Sequence, residues 1–235
     1  MKHLIIIPTY NEAKNVRLMI EKIFSLYSQS SVLIVDDSSP DGTSKIVEEL
    51  KNKYENLYLI VQDKKYGLAK AYINGFKWGI KEGFDLFTTF DCDFSHPVSG
   101  IADALELINT GVSAACGSRY MPKGHTEETN WFKNLISIGG NIYARLILGK
   151  EIYDWTEGFN TYTKDCLNTI NLDRIIAKGY VIHAEMKYKA IHKGLQIKEF
   201  PINFEQRTEG ESKMNYGIIL EAFLLVLKLR LNIVK

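Results

Sequence analysis

Five short β-prone runs, Leu4 to Ile7, Val32 to Val35, Leu57 to Val61, Leu86 to Phe90 and Ser113 to Cys116, occupy the first half of the chain with helical segments between them. This alternation is the mark of an α/β chain whose mostly parallel central sheet is flanked by helices. Between the first two runs, Val16, Leu18, Met19, Ile20, Ile23 and Phe24 keep the spacing of one apolar helix face. The turn-rich stretch Asp36 to Ser44 then leads into a helix expected over Lys45 to Tyr54, with Thr43 or Asp41 as its cap. Another helix is expected over Asn134 to Leu148, where the interior Gly139-Gly140 pair points to close packing or to the approach of a ligand. No internal repeat, low-complexity tract or interdomain linker interrupts the order.

Composition narrows the function classes. A chain of 235 residues, 46% hydrophobic and 24% charged, has the length and apolar content for one large core and is not disordered. Its net charge of +1 offers no reason to expect nucleic acid as partner. Cys92, Cys116 and Cys166 are odd in number, widely spaced and without a C-x-x-C, which argues against a disulfide framework or a zinc site and for a reducing cytoplasm. Met1-Lys2-His3 runs straight into Leu4 to Pro8, too short for a signal peptide and read as the first buried strand. With no G-x-G-x-x-G and no G-x-x-x-x-G-K-[ST], neither a dinucleotide fingerprint nor a Walker loop is present.

Ligands of open α/β sheets bind beyond the carboxyl ends of the strands. Three polar clusters fall at such ends: Pro8-Thr9-Tyr10-Asn11-Glu12, Asp36-Asp37 and Asp91-Cys92-Asp93. Mg²⁺ and Mn²⁺ take oxygen ligands and often need only one or two carboxylates beside water and phosphate, a demand that Asp-x-Asp after a strand meets. Singly, each cluster is equally a set of turn formers or solvated acids; together they favour one pocket that holds phosphates by a metal and basic side chains. Cys92 reads as a small buried residue, His96 as loop support at least as readily as catalysis, and His125 and His183 as structural.

Six stretches, in order over nearly the whole chain, resemble the dolichol-phosphate mannose synthase (polyprenyl-phosphate glycosyltransferase) branch of the family 2 glycosyltransferases: Ile7 to Glu12, Val35 to Thr43, Gly67 to Tyr72, Asp91 to Pro97, Gly117 to Tyr120 and Arg207 to Met214. The resemblance implies a GT-A fold that passes a sugar, mannose from GDP-mannose first, from a nucleotide diphosphate to a polyprenyl phosphate with inversion. It makes Pro8, Tyr10, Glu12, Val35 and Asp37, with Cys92, the wall for the nucleoside. Asp91 and Asp93, with Ser95 beside them, would hold Mg²⁺ or Mn²⁺ and the diphosphate. Arg207 and Lys213 would close over the donor and neutralise the leaving nucleotide. Arg119, Arg145 and Ser137 would meet the acceptor phosphate, which is already anionic and needs orientation more than a base. Asp154 matches an acidic family position without being read as a base. Glu157 and Asn160 stand where relatives often carry small and basic residues, and Val181-Ile182-His183 replaces a more usual aromatic-Gln pair.

The same resemblance leaves open UDP-glucose or another donor, a polysaccharide acceptor, or, from another class, a nucleotide-sugar-binding subunit that needs a membrane partner. Retention of both aspartates, Arg207 and Lys213 speaks against the last. The expected organisation is a catalytic domain over 1–214 and an amphipathic C-terminal helix over 215–235. Glu221, Lys228 and Arg230 interrupt that helix's apolar run before it reaches the roughly 20 residues of a membrane span, so it is expected to lie at the inner membrane surface, with packing on the domain or across a homo-oligomer as the alternative.

Overall fold

Every side chain from His3 to Ile7 is buried in the first strand, β1 (His3–Thr9), and because successive strand residues point to opposite faces, such a run needs a layer on each side. The computed structural model describes residues 1–127, 131–205 and 216–231. After β1 come α1 (Val16–Leu26), β2 (Ser31–Asp36), α2 (Thr43–Lys51), β3 (Leu57–Val61), α3 (Leu68–Lys81), β4 (Leu86–Thr89), α4 (Gly100–Asn109) and β5 (Ala114–Ser118). Then follow β6 (His125–Thr126), α5 (Trp131–Leu148), β7 (Asn160–Thr163), α6 (Lys164–Ile170), α7 (Ile182–His192), β8 (Ile197–Pro201), β9 (Asn203–Phe204) and α8 (Tyr216–Arg230). Leu4, Ile6, Leu33 and Phe87 pack on one face of the sheet with α3, α5, α6, α7 and α8. Ile5, Ile7, Val32 and Leu86 pack on the other with α1, α2 and α4. The result is a three-layer α/β/α unit.

The main sheet has seven strands in the order β3-β2-β1-β4-β7-β5-β8, with β6 and β9 forming a separate pair. All neighbours in the main sheet are parallel except β7, which runs antiparallel between β4 and β5. An antiparallel strand begins where its neighbours end, so Asn160 pairs with both Thr89 and Cys116. The loop before β7 is thereby delivered to the carboxyl ends of β4 and β5. The sequence pattern does not announce this strand: Asn160-Thr161-Tyr162-Thr163 is short and carries little apolar signal.

Local chemistry moves two expected helix boundaries. Gly42 adopts φ 91°, and Thr43 donates its backbone N–H to Asp41 Oδ1 at 3.0 Å, so α2 starts at Thr43 rather than Lys45 and ends at Lys51 rather than Tyr54. Close packing fixes α3: a Cβ on Gly75 would meet Ile6 Cγ2 at 2.7 Å, so glycine lets this helix sit down on β1. α8 buries Leu225, Val226 and Leu229 against the body and leaves Leu220, Phe223 and Leu224 exposed, as is Leu231 just after it. Its Glu221 Oε1 accepts the backbone N–H groups of Lys178 and Gly179 at 2.7 and 3.3 Å. Among the described residues no helix is long and apolar enough to cross a membrane.

Candidate active site

Three non-glycine residues with left-handed backbone, Asn11 (φ 58°), Ser38 (φ 65°) and Phe94 (φ 63°), lie in the loops that follow β1, β2 and β4. Such conformations cost energy, most for a bulky residue like Phe94, and persist where the surroundings impose them. Asp36 imposes one turn by accepting from the hydroxyls of Thr9 (2.8 Å) and Ser39 (2.6 Å) and the Ser39 amide (2.8 Å). Asp37 is nearly buried and accepts from Gln62 Nε2 and the amides of Tyr66 and Gly67 at 2.7, 2.7 and 2.8 Å. The expected nucleoside wall gathers here: Pro8 and Glu12 are half-buried, and Lys65 Nζ lies 3.5 Å from the centroid of the Tyr10 ring. The Val35 side chain is fully buried in the core beneath α3, and the Cys92 side chain is buried in the opposite core layer, so these two residues have backbone rather than side-chain atoms to offer a nucleoside.

After β4 the two aspartates divide. Asp91 reaches the surface of a cavity, while Asp93 is nearly buried. Ser95, expected beside the metal, is fully buried and donates both its amide (3.1 Å) and its hydroxyl (2.5 Å) to Asp93 Oδ1, which orients Asp93. The Asp91 amide points at His96 Nδ1 across 3.3 Å, and His96 Nε2 donates to Glu157 Oε1 at 2.7 Å. Burial alone would depress the His96 pKa, but the Glu157, Asp91 and Asp93 carboxylates outweigh it and raise it to about 9. In either charge state Nε2 carries the hydrogen that faces Glu157.

The loop before β7 brings Asp154 and Glu157 against Arg119, which follows β5. Arg119 Nε and Nη2 donate to the two oxygens of Asp154 at 2.8 and 3.0 Å, Nη2 also donates to Thr156 Oγ1 at 2.8 Å, and Glu157 Oε2 lies 3.0 Å from Nε. Nη1 makes no hydrogen bond to a described residue, and the guanidinium carbon lies 5.0 and 5.4 Å from the centroids of the Tyr120 and Phe204 rings. Glu157 is pulled well below the usual carboxylate range: burial opposes its charge, and Arg119 and His96 overcome that. Beneath them the fully buried Lys187 donates Nζ to the backbone oxygens of Asp154 and Glu157 at 2.7 and 3.1 Å. His183, also buried, sits edge-on to Tyr72 at 5.3 Å, and burial followed by the Lys187 charge drops its pKa to about 3.

A cavity of about 470 Å³ joins these parts. Asp91, His96, Arg119 and Glu157 form its polar end, and Tyr143, Ala144, Val181, Phe223 and Val226 of α5, α8 and the start of α7 form an apolar passage away from them. Ser137 lines it with its hydroxyl 2.9 Å from Tyr120 Oη. Gly139 and Gly140 line it too, and a Cβ on either would meet nothing within 4 Å, so the glycine pair opens a wall rather than packing tightly. Arg145 is not part of the cavity wall; its guanidinium lies over the Tyr153 ring at 5.1 Å. Arg207 and Lys213 lie outside the described residues.

The sheet order and the single reversed strand place the molecule beside solved sugar transferases. The structure titled "Mannosyltransferase PcManGT from Pyrobaculum calidifontis in complex with GDP-Man and Mn2+" overlays with a TM-score of 0.60 at 16% identity, covering 98% of this chain and 73% of that one. The fold is thus that of the GT-A class. The chain belongs to glycosyl transferase family 2, whose model matches residues 4–171. It is 36% identical over 220 residues to "Polyprenol monophosphomannose synthase" of Mycolicibacterium smegmatis, covering 93% of this chain and 83% of the relative. It is also 38% identical over 224 residues to "Undecaprenyl-phosphate mannosyltransferase" of Micrococcus luteus, covering 94% and 91%. Enzymes of this class commonly use a divalent metal. Asp91 and Asp93 fit one: hard oxygens one residue apart, the first at a cavity wall and the second held by Ser95, with room for phosphate and water oxygens to complete the shell.

Proposed function

We propose that this enzyme transfers mannose from GDP-mannose to a polyprenyl phosphate at a membrane surface. One observation carries the reading: a single cavity joins Asp91 and Arg119 to an apolar lining from α5 and α8, the surroundings a lipid phosphate needs if its head is to meet a sugar diphosphate. The names of the two relatives, both transferases to polyprenyl phosphates, support it. In this reading Nη1 of Arg119 and the Ser137 hydroxyl orient the acceptor phosphate. One of its anionic oxygens attacks the anomeric carbon as the bond from that carbon to the nucleotide diphosphate breaks, which inverts the centre and releases GDP. Asp91 and Asp93 would hold Mg²⁺ or Mn²⁺, which when bound supplies positive charge to the diphosphate. Pro8, Tyr10, Glu12 and Asp37 would contact the nucleoside, and Arg207 and Lys213 would neutralise the departing charge.

The lipid side extends onto the surface. α5 exposes Trp131, Leu135, Ile138, Ile142 and Leu146 on one stripe, α8 exposes Leu220, Phe223 and Leu224, and Phe223 also lines the cavity. Such a continuous apolar face opening from a lipid cavity, with Lys228 and Arg230 at the end of α8, suits the surface of an anionic bilayer. In this reading α8 and α5 form the interfacial part, and the enzyme works at the cytoplasmic face. The test is a donor screen with purified chain and polyprenyl phosphate. Label from GDP-mannose should enter an organic-extractable product. Transfer from UDP-glucose alone, or none without a second subunit, overturns the reading.

A further inference from the structure

Glu157 is nearly buried at the polar end of the cavity, and its two oxygens lead to the two halves of the site. Oε1 accepts from His96 Nε2 at 2.7 Å, and His96 in turn lies behind the Asp91 amide. The same oxygen accepts the backbone N–H groups of Gly158 and Phe159 at 2.7 and 3.1 Å, which pins the carboxylate in place. Oε2 faces Arg119 Nε at 3.0 Å but receives no hydrogen bond from a described residue, because the single Nε hydrogen goes to Asp154 Oδ2 at 2.8 Å. A buried carboxylate oxygen held by charge alone is costly, and an apolar residue of similar size would avoid that cost. Asp154 already fixes the plane of the guanidinium through two bonds. What Glu157 adds is a rigid link between that guanidinium and the Asp91 loop.

We propose that Glu157 is a positioning residue that sets the register between the two substrates: it holds Arg119 with Nη1 towards the acceptor phosphate and, through His96, ties it to the loop that meets the donor diphosphate. This rests on the reading of Arg119 as the acceptor-phosphate residue. Glutamine at this position has the same shape but only one acceptor. With its oxygen kept at Oε1 by three donors, its NH₂ must point at Arg119 Nε and push the guanidinium aside. Glu157→Gln should therefore lower kcat/KM for a short-chain polyprenyl phosphate about tenfold or more while leaving the KM for GDP-mannose within about twofold.

The test is a double-mutant cycle of Glu157→Gln and Arg119→Lys, read as kcat and KM for each substrate, with melting temperature recorded for every variant. If Glu157 acts through Arg119, the double variant is no worse towards the acceptor than Arg119→Lys alone. Multiplicative losses, or a KM for GDP-mannose that rises as much as that for the acceptor, overturn the proposal. Should Glu157→Gln fail to fold, Glu157→Asp replaces it in the cycle; it keeps the charge but withdraws it by one methylene, and the same non-additivity is expected. Unchanged acceptor KM in Arg119→Lys would refute the acceptor assignment itself, whereas a damaged Arg119→Lys with an undamaged Glu157 variant removes only the role of Glu157.

Discussion

At the scale of single residues, the two aspartates differ in what surrounds them, and this sets what substitution should do. Asp93 is held by the Ser95 amide and hydroxyl on one oxygen, so Asn can keep that oxygen as an acceptor while losing the charge. Asp93→Asn should lower turnover at least about a hundredfold with little change in melting temperature, and excess chelator should abolish transfer by the unaltered enzyme. Near-normal transfer in either case removes the metal role. Gly140 tests the lipid passage: a side chain there meets nothing of the protein within 4 Å and enters the cavity wall. Gly140→Val should raise the KM for long polyprenyl phosphates and spare GDP-mannose, as steady-state assays with both substrates varied would show. The sequence pointed to Asp91 and Asp93 through spacing after a strand. It offered no signal for Gln62, which holds Asp37, or for Lys187, which holds the 154–157 loop from below.

Among the elements, α8 shows which side of an apolar helix the body covers. Apolar residues occur nearly all round it, so pattern alone does not say which side is covered. The structure covers Leu225, Val226 and Leu229 and leaves Leu220, Phe223 and Leu224 in the open, so the helix packs on the body and still presents an apolar face. Its seat includes Glu221, which accepts from Lys178 and Gly179, and Lys178 O in turn accepts from the Ala69 amide near the start of α3. Glu221→Ala should cost about 1–2 kcal/mol by leaving two amides without that acceptor, measured by urea unfolding. A change below a few tenths would mean that α8 is not seated by this contact.

For the molecule as a whole, two buried neutral histidines tie stability to pH. Burial drops the His3 pKa to about 4, where the ring bridges Ser30 and Thr88, and burial with the Lys187 charge drops that of His183 to about 3. Both lie below the ordinary value of about 6.5, so the unfolded chain binds protons that the folded one refuses. Their contribution is complete above about pH 6.5 and is lost as pH falls towards 4 and then 3. His96, raised to about 9, acts with the opposite sign over this range, so of the roughly 4 kcal/mol that the pair loses, urea unfolding at pH 7 and pH 5 should show a net loss on the order of 2 kcal/mol. The His3→Gln variant, which cannot ionise there, should show a shallower slope; an unchanged slope would exclude His3 as a source.

What the sequence determined by itself was whatever depends on neighbours along the chain. Apolar runs built β1 to β5, helical spacing built α1, and an Asp-x-Asp after β4 marked the site, because strand alternation, helix period and metal chemistry all act over a few residues. The tertiary structure alone decided where distant segments meet. A short antiparallel β7 carries Asp154 and Glu157 to Arg119 and His96, and α5, α7 and α8 close an apolar cavity onto them. Those positions depend on strand order and on the burial of charges against one another, and neither leaves a periodic trace in the chain.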